Sequence, residues 1–324
     1  MTTAMDDLSF IIPIRVDSED RINNCLAIVR FITTHFPGAE IQLIEQDTVT
    51  KTAQVIAAYP MVRHDFELNA ARFNKARAVN KGVLNTARAL ICMCDSDILL
   101  HPDAIHRACT ILRKKRGRIV IPHNRIFMDI SGTMKSEMVA GYDLDRYGRI
   151  RRFSDVPRRS DVTARDCNGG IFLAERETLL LGGGLNAKMV SYGWEDTEFI
   201  RRFDRLGYYT TMLPAYNLVH LDHHRGADSR INEMFDVNKA EFDKVNAMSR
   251  AQLEQYVESD LDIAPVALKA RRPQFRRRQS FANLLHLQYA FHLLNKIQIK
   301  LQTNGTTAVL RNAPGLRRLR GLGS

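Results

Sequence analysis

Residues 89–101 read ALICMCDSDILLH, in which six uncharged residues, Ala89 to Cys94, run straight into Asp95-Ser96-Asp97. A helical pattern precedes the run and a proline follows it, so it predicts a strand buried in a parallel sheet. Open α/β sheets bind ligands at the carboxyl ends of their strands, which is where the two carboxylates fall. Hard oxygen ligands at that edge suit a divalent cation bridging a diphosphate. The same residues also read as an acidic turn capping a helix that begins near Pro102. Two further Asp-x-Asp triplets, Asp143/Asp145 and Asp260/Asp262, lie in a Gly-flanked polar loop and at the end of a helical pattern. Neither follows a strand, so Asp95 and Asp97 are the candidate metal and nucleotide ligands.

The rest of the chain alternates strand and helix. Leu8 to Ile14 predicts a strand, followed by a helix with Ile22, Leu26, Val29 and Ile32 on one face. Glu40 to Ile44 and Met61 to Phe66 predict strands, and Phe73, Ala76, Val79, Val83 and Leu84 trace a helical face leading into the acidic stretch. A helix from Pro102 to Lys115 and a strand from Arg118 to Ile121 come next. The weakly periodic segment from Pro122 to Asp166 reads partly as an acceptor-side loop, in which Arg149, Arg151, Arg152, Arg158 and Arg159 could meet an anionic substrate or simply face solvent. Then follow the apolar run Ile171 to Ala174 and a helix ending at Gly182-Gly183-Gly184. A helix starting near Trp194, strands at Tyr208 to Leu213 and Leu218 to Leu221, and one helix from Phe235 to Val257 complete the pattern. The alternation predicts an α/β fold, a doubly wound and mostly parallel central sheet flanked by helices.

Charge divides the chain. The net charge is +11, yet residues 263–324 hold twelve Lys and Arg and no Asp or Glu, so the remainder is close to neutral. The expected organisation is a catalytic domain over 1–262 and a basic helical extension over 263–324. Such a tail suits an anionic partner, and its helix near Leu284 to Leu294 could pack on the main domain or a partner, the plainer reading, or lie in a membrane interface. Nucleic acid is disfavoured, because the body is near neutral and carries no nucleic-acid motif. Five Cys without a repeating spacing argue against a disulfide framework. No run reaches 18 apolar residues and the start, MTTAMDD, lacks a basic-then-apolar pattern. The expected location is cytoplasmic, peripheral on the inner face of the membrane through the tail.

Three separated features could converge on the strand-end acids. Glu195 and Asp196 fall in the first turn of a helix, where its dipole favours ionised carboxylates, and such a carboxylate can take a proton from an attacking hydroxyl. Merely satisfying the helix start is the plainer role for that pair. His220 and His223 could join Asp97 on a metal, or sit at the surface on opposite faces of a strand. Phosphate-cradling, dinucleotide-binding and hydrolase-elbow motifs are missing from the sequence.

Six stretches occur in a meaningful order: IIPIR at 11–15, FNKARAVNKG at 73–82, CDSDILLHP at 94–102, NGGIFLAERE at 168–177, YGWEDTEF at 192–199 and HLDHHR at 220–225. On these motifs the chain, from Leu8 to Arg225, resembles the β-1,4-galactosyltransferase family and its bacterial relatives, including chondroitin-polymerase-like capsule glycosyltransferases of GT-A fold. The resemblance implies a metal-dependent, inverting transfer of Gal, GalNAc or GlcNAc from a UDP-sugar to a glycan or glycolipid hydroxyl, in capsule or lipopolysaccharide biosynthesis. It implies that Pro13, Arg15, Phe73, Lys75 and Asp95 contact the nucleotide. Asp97 and His223 would bind Mn²⁺ or Mg²⁺, with His220 where some relatives place a second histidine ligand, and Asp95 beside them. Asp196 would be the catalytic base, and Glu195, Gly169, Gly170, Tyr192 and Trp194 would line the acceptor or donor sugar. Lys75 stands where the galactosyltransferases have Arg, Tyr192 where they have Trp, and Trp194 where they have Gly. Those departures leave the sugar open. A retaining transferase and a non-catalytic glycan-binding scaffold are the alternatives on the same fold.

Overall fold

The computed structural model describes residues 5–229 and 231–269. The expected basic extension falls largely on 270–324, outside the described residues. In chain order the elements begin with β1 (Leu8–Ile14), α1 (Glu19–His35), β2 (Glu40–Asp47), α2 (Ala53–Ile56), β3 (Val62–Leu68), α3 (Lys75–Asn85), β4 (Leu90–Cys94) and β5 (Ile98–Leu99). They continue with α4 (Pro102–Lys114), β6 (Arg118–Ile121), β7 (Ile126–Ile130), α5 (Gly132–Gly141), α6 (Leu144–Tyr147), β8 (Val162–Asp166) and β9 (Ile171–Glu175). The last are α7 (Arg176–Leu181), α8 (Glu195–Arg205), β10 (Tyr209–Met212), β11 (Leu218–Leu221), α9 (Met234–Ala247), α10 (Arg250–Ser259) and α11 (Val266–Lys269).

The main sheet has seven strands in the order β10-β6-β9-β4-β1-β2-β3. β1 lies between β2 and β4 and runs parallel to both, with Ile11 opposite Gln42 on one side and Met93 on the other. Because side chains alternate along a strand, Phe10, Ile12 and Cys92 enter a core under α1 and α4, while Ile11, Ile91 and Met93 enter a second core under α3, α7, α8 and α10. All five cysteines are free, and Cys92 and Cys94 serve packing on the first face. Among the described residues no helix is long and apolar enough to cross a membrane.

Three departures from the sequence reading shape the site. First, 122–166 carries regular structure that the sequence did not reveal: β7 and β8 join β5 and β11 in a second sheet of order β5-β11-β7-β8. Short strands and a helix burying only Met134 and Met138 gave little periodicity to read. Second, β9 runs antiparallel to β4 and β6. The chain reaches it from the second sheet, with no crossover helix to reverse its direction, so it enters from the carboxyl edge of the parallel strands. Third, the single helix expected over 235–257 is two, divided at Ser249. That residue caps α10 in a capping box with Gln252, a Ser-x-x-Gln signal that the apolar pattern hid.

α3 packs on β1 through Gly82, where an added Cβ would stand 2.5 Å from Ile11 Cγ2. Helix propensity alone makes Gly82→Ala stabilising by about 1 kcal/mol. Overpacking costs about 1–3 kcal/mol, and with so close an approach it should win. Gly82→Ala is therefore expected to lower the urea midpoint, and a raised midpoint would mean that α3 has slack against β1.

Candidate active site

Where β4 ends, backbone pairing fixes the acid triplet. Asp95 N donates to Gly170 O at 2.8 Å, tying the triplet to the residues that lead into β9. β5 then pairs antiparallel with β11, setting His220 opposite Ile98, and Leu221 N donates to Asp97 O at 2.9 Å. His220 Nε2 consequently lies 3.7 Å from Asp97 Oδ2. Strict alternation would send His223 to the other face, but β11 stops at Leu221 and the chain turns. His223 Nε2 returns to 3.1 Å from the same oxygen, and both imidazoles are buried rather than on the surface.

Asp97, His220 and His223 each offer one donor atom, all within 4.8 Å of one another. His223 Nδ1 lies 2.6 Å from the His224 carbonyl, which can only accept, so Nδ1 carries a proton and Nε2 is the nitrogen facing Asp97. His220 Nδ1 is held by Asp129 Oδ1 at 2.7 Å. An outer partner on Nδ1 that leaves Nε2 turned inward is how ligand histidines are usually oriented. One carboxylate and two imidazoles fit a divalent cation such as Mn²⁺. Asp129, His220 and Asp222 form a second close group. There Asp129 already serves His220 and Arg225, the latter at 3.4 Å, so it reads as an orienting carboxylate.

Opposite this group stands a second set of charges. Lys75, the first residue of α3, reaches Asp95 Oδ1 at 3.0 Å and Asp196 Oδ1 at 3.4 Å. Burial pushes its ammonium down, but Asp196, Asp95 and Glu195 raise it well above its ordinary value. Burial lifts Asp95 to about 6, Lys75 only partly opposing the push from Asp97 and Asp196. Burial, then Asp196, lifts Glu195 to about 7. Asp97 behaves differently: burial pushes it up, yet His220, His223 and Arg21 hold it well below the usual carboxylate range. The Asp196 carboxylate lies against Gly169, where a Cβ would fall 1.6 Å from its Oδ2. Only glycine leaves it that space.

The residues expected to hold metal, nucleotide and sugar or to act as base line one cleft of about 500 Å³: Pro13, Arg15, Phe73, Lys75, Asp95, Asp97, Gly169, Gly170, Tyr192, Trp194, Glu195, Asp196, His220 and His223. The other two Asp-x-Asp triplets are elsewhere, Asp145 on His101 and Asp260 on Lys188. The five arginines expected on the acceptor side do not line the cleft. Arg149 pairs with Asp103 and Arg159 with Asp161, while Arg151, Arg152 and Arg158 face solvent. Arg15 is taken up by the carbonyls of Gln46, Asn69 and Ala71 and by Asp228, so it fastens the cleft wall.

Sequence reasoning missed Arg21, Asp129, Arg165, Arg225 and Asp228. Asp228 accepts from Arg15, Phe73 N and Ser191 Oγ and so straps the cleft mouth. Arg21 hid as an ordinary i,i+4 partner of Asp17, and Asp129 sits on a strand that the pattern did not reveal. Burial pushes the His220 imidazole down, yet Asp97 and Asp129 overcome it and lift it to about 9. At neutral pH His220 therefore holds a proton that a cation must displace. Titration with Mn²⁺ should show affinity rising by up to about tenfold per pH unit from pH 6 towards 9. A flat profile would mean that His220 holds no proton for the cation to displace.

With the geometry in place, similarity to known proteins adds a family. Residues 9–229 match the model of a family described as glycosyltransferase-like family 2. No curated protein matches the sequence closely enough to count as a relative. Among solved structures, GalNAc-T7 with UDP, GalNAc and Mn²⁺ superposes with a TM-score of 0.52 at 12% identity, over 88% of this chain and 57% of that one. This chain thus spans little more than half of that protein. A mutant of Drosophila β-1,4-galactosyltransferase 7 with manganese, UDP-Gal and xylobiose covers 72% of this chain and 79% of its own, at 16% identity and a TM-score of 0.42. At such identities the likeness is one of fold. The family match covers most of the chain and includes every residue lining the cleft, and the chain therefore belongs to glycosyltransferase-like family 2 and has the GT-A fold.

Proposed function

We propose that the protein is a Mn²⁺- or Mg²⁺-dependent inverting transferase that moves Gal, GalNAc or GlcNAc from a UDP-sugar to a hydroxyl of a glycan or glycolipid acceptor. The observation that carries this is the pairing, in one cleft, of the Asp97-His220-His223 donor set with the Lys75-bridged Asp95 and Asp196. GalNAc-T7, which shares the fold, is known with UDP, GalNAc and Mn²⁺ bound. Asp97, His220 and His223 would hold a divalent cation, which when bound would neutralise negative charge on the diphosphate.

The remaining steps belong to the chain's own residues. Lys75 brings a positive charge between the acid of the triplet and the base, where it can meet a phosphate oxygen. Asp196 accepts the proton of the acceptor hydroxyl as its oxygen bonds to the anomeric carbon. The bond from that carbon to phosphate breaks on the opposite side, and UDP leaves with the electron pair. A single displacement of this kind inverts the anomeric centre. Burial and Asp196 push the Glu195 carboxyl up, and in its protonated form it can donate a hydrogen bond to a sugar hydroxyl. Tyr192 and Trp194 stack on Phe235 and Phe242 and give the wall an aromatic surface for a sugar face. The basic residues of 263–324 would hold the enzyme on the cytoplasmic side of an anionic membrane. The acceptor would then be a glycolipid of bacterial capsule or lipopolysaccharide synthesis.

UDP release measured across UDP-sugars with and without Mn²⁺ tests the reading. Asp196→Asn should cut turnover by about 10²–10⁴-fold while UDP binding survives. Glu195→Gln, which can still donate a hydrogen bond, should lose far less. If the two effects are exchanged, Glu195 is the base. The proton NMR spectrum of the first-formed product should show the inverted anomer, and a retained anomer would overturn the single displacement.

A further inference from the structure

We propose that Arg21 is an exchangeable cation of the cleft, paired with Asp97 until a divalent cation and a diphosphate bind together, when its charge passes from the carboxylate to the diphosphate. This rests on the proposed reading of Asp97, His220 and His223 as cation donors.

Arg21 projects from the first turns of α1 with a side chain only 15% exposed. Its Nη1 donates to Asp97 Oδ2 at 3.3 Å, the same oxygen that His223 and His220 approach. Its Nε donates to Asp17 Oδ1 at 3.0 Å, and its Nη2 donates to Ser229 Oγ. All three partners line the cleft. A divalent cation held by Asp97 Oδ2 would lie within a few ångströms of the guanidinium. Coulomb repulsion at that separation outweighs one long hydrogen bond, so the two cannot share the oxygen.

The geometry shows where the charge can go. The Asp17 contact is local, made through Nε to a residue just ahead of α1, and can persist as a pivot while both Nη groups swing. Asp17 is itself fixed by Gly226 N at 3.1 Å. Nη1 and Nη2 already span the cleft from the triplet to Ser229, and a planar fork of that kind suits two oxygens of a diphosphate. A cation entering alone must expel Arg21 with no anion to receive it. When a diphosphate enters with the cation, the displaced guanidinium gains a partner. Arg21 therefore makes the two ligands depend on each other, and by linkage each raises the affinity of the other by the same factor.

Calorimetric titration of the full chain tests this with three probes: Mn²⁺ alone, Mn²⁺ at saturating UDP, and Mn²⁺ at saturating inorganic pyrophosphate. Arg21→Gln should bind Mn²⁺ alone about tenfold more tightly than the wild type. The factor by which UDP or pyrophosphate tightens Mn²⁺ should fall by at least as much. Arg21→Lys keeps the charge but cannot span the three partners, so Mn²⁺ alone should bind as in the wild type while the tightening factor falls. Circular dichroism melts check that each variant is folded, and if Arg21→Gln is not, Arg21→Lys decides. Wild-type or weaker binding of Mn²⁺ alone by folded Arg21→Gln overturns the proposal, as does a wild-type tightening factor in Arg21→Lys. Asp97→Asn separates the two levels: it should abolish Mn²⁺ binding, and wild-type affinity in that variant means the cation site itself is misassigned.

Discussion

Asp95, Asp97, Glu195 and Asp196 put four carboxyl groups into one partly buried cleft, and their mutual repulsion is the constraint around which the neighbouring cations are arranged. The relief is divided. Lys75 serves Asp95 and Asp196, whereas Arg21, His220 and His223 serve Asp97. The division matters chemically because the two halves have different tasks. Asp97 is held ionised by Arg21, His220 and His223, of which the two imidazoles can join it on a metal. Glu195 is pushed towards neutrality, and Asp196 is kept in place by Lys75 and by the absence of a side chain at Gly169.

That arrangement depends on topology more than on any single contact. β4 delivers the acids to the carboxyl edge of the sheet, and β9 enters from the same edge in the opposite direction, so Gly169 and Gly170 meet the triplet head-on. The small second sheet folds back over the edge and brings His220 beside Asp129 and above Asp97. Ser191 and Trp194 adopt positive φ angles of 61° and 72° just before α8. Such backbone is unfavourable for these residue types and persists only where the surroundings enforce it. Here it turns the chain sharply enough to present Glu195 and Asp196 at a helix start facing the acids.

Much of this was legible in the sequence because buried strands write themselves plainly. Leu8–Ile14, Arg118–Ile121 and Leu218–Leu221 have the predicted bounds, since nearly every side chain in them is buried. Of the cleft residues, Asp95, Asp97, Glu195, Asp196, His220 and His223 were legible from their places at strand ends and a helix start, whereas Pro13, Arg15, Phe73, Lys75, Gly169, Gly170, Tyr192 and Trp194 were picked out by the family resemblance. What escaped was information that lies between elements. The reversed direction of β9 depends on the path of the preceding chain and leaves no mark on Ile171–Glu175 itself. Asp129 gains its role only when β7 pairs with β11, and Arg21 only when α1 packs beside the end of β4. The solvent-facing arginines at 151, 152 and 158 show the converse, a charge cluster that suggests a site and is merely exposed.

The central claim is that Asp97, His220 and His223 jointly hold the cation that the diphosphate needs. Anomalous X-ray scattering at the manganese edge, from crystals of the full chain grown with Mn²⁺ and UDP, tests it most directly. The account predicts one strong peak in coordination contact with Asp97 Oδ2 and both Nε2 atoms, with diphosphate oxygens completing the shell. A peak bound by Asp95 and the diphosphate, with the two imidazoles out of reach, would contradict it.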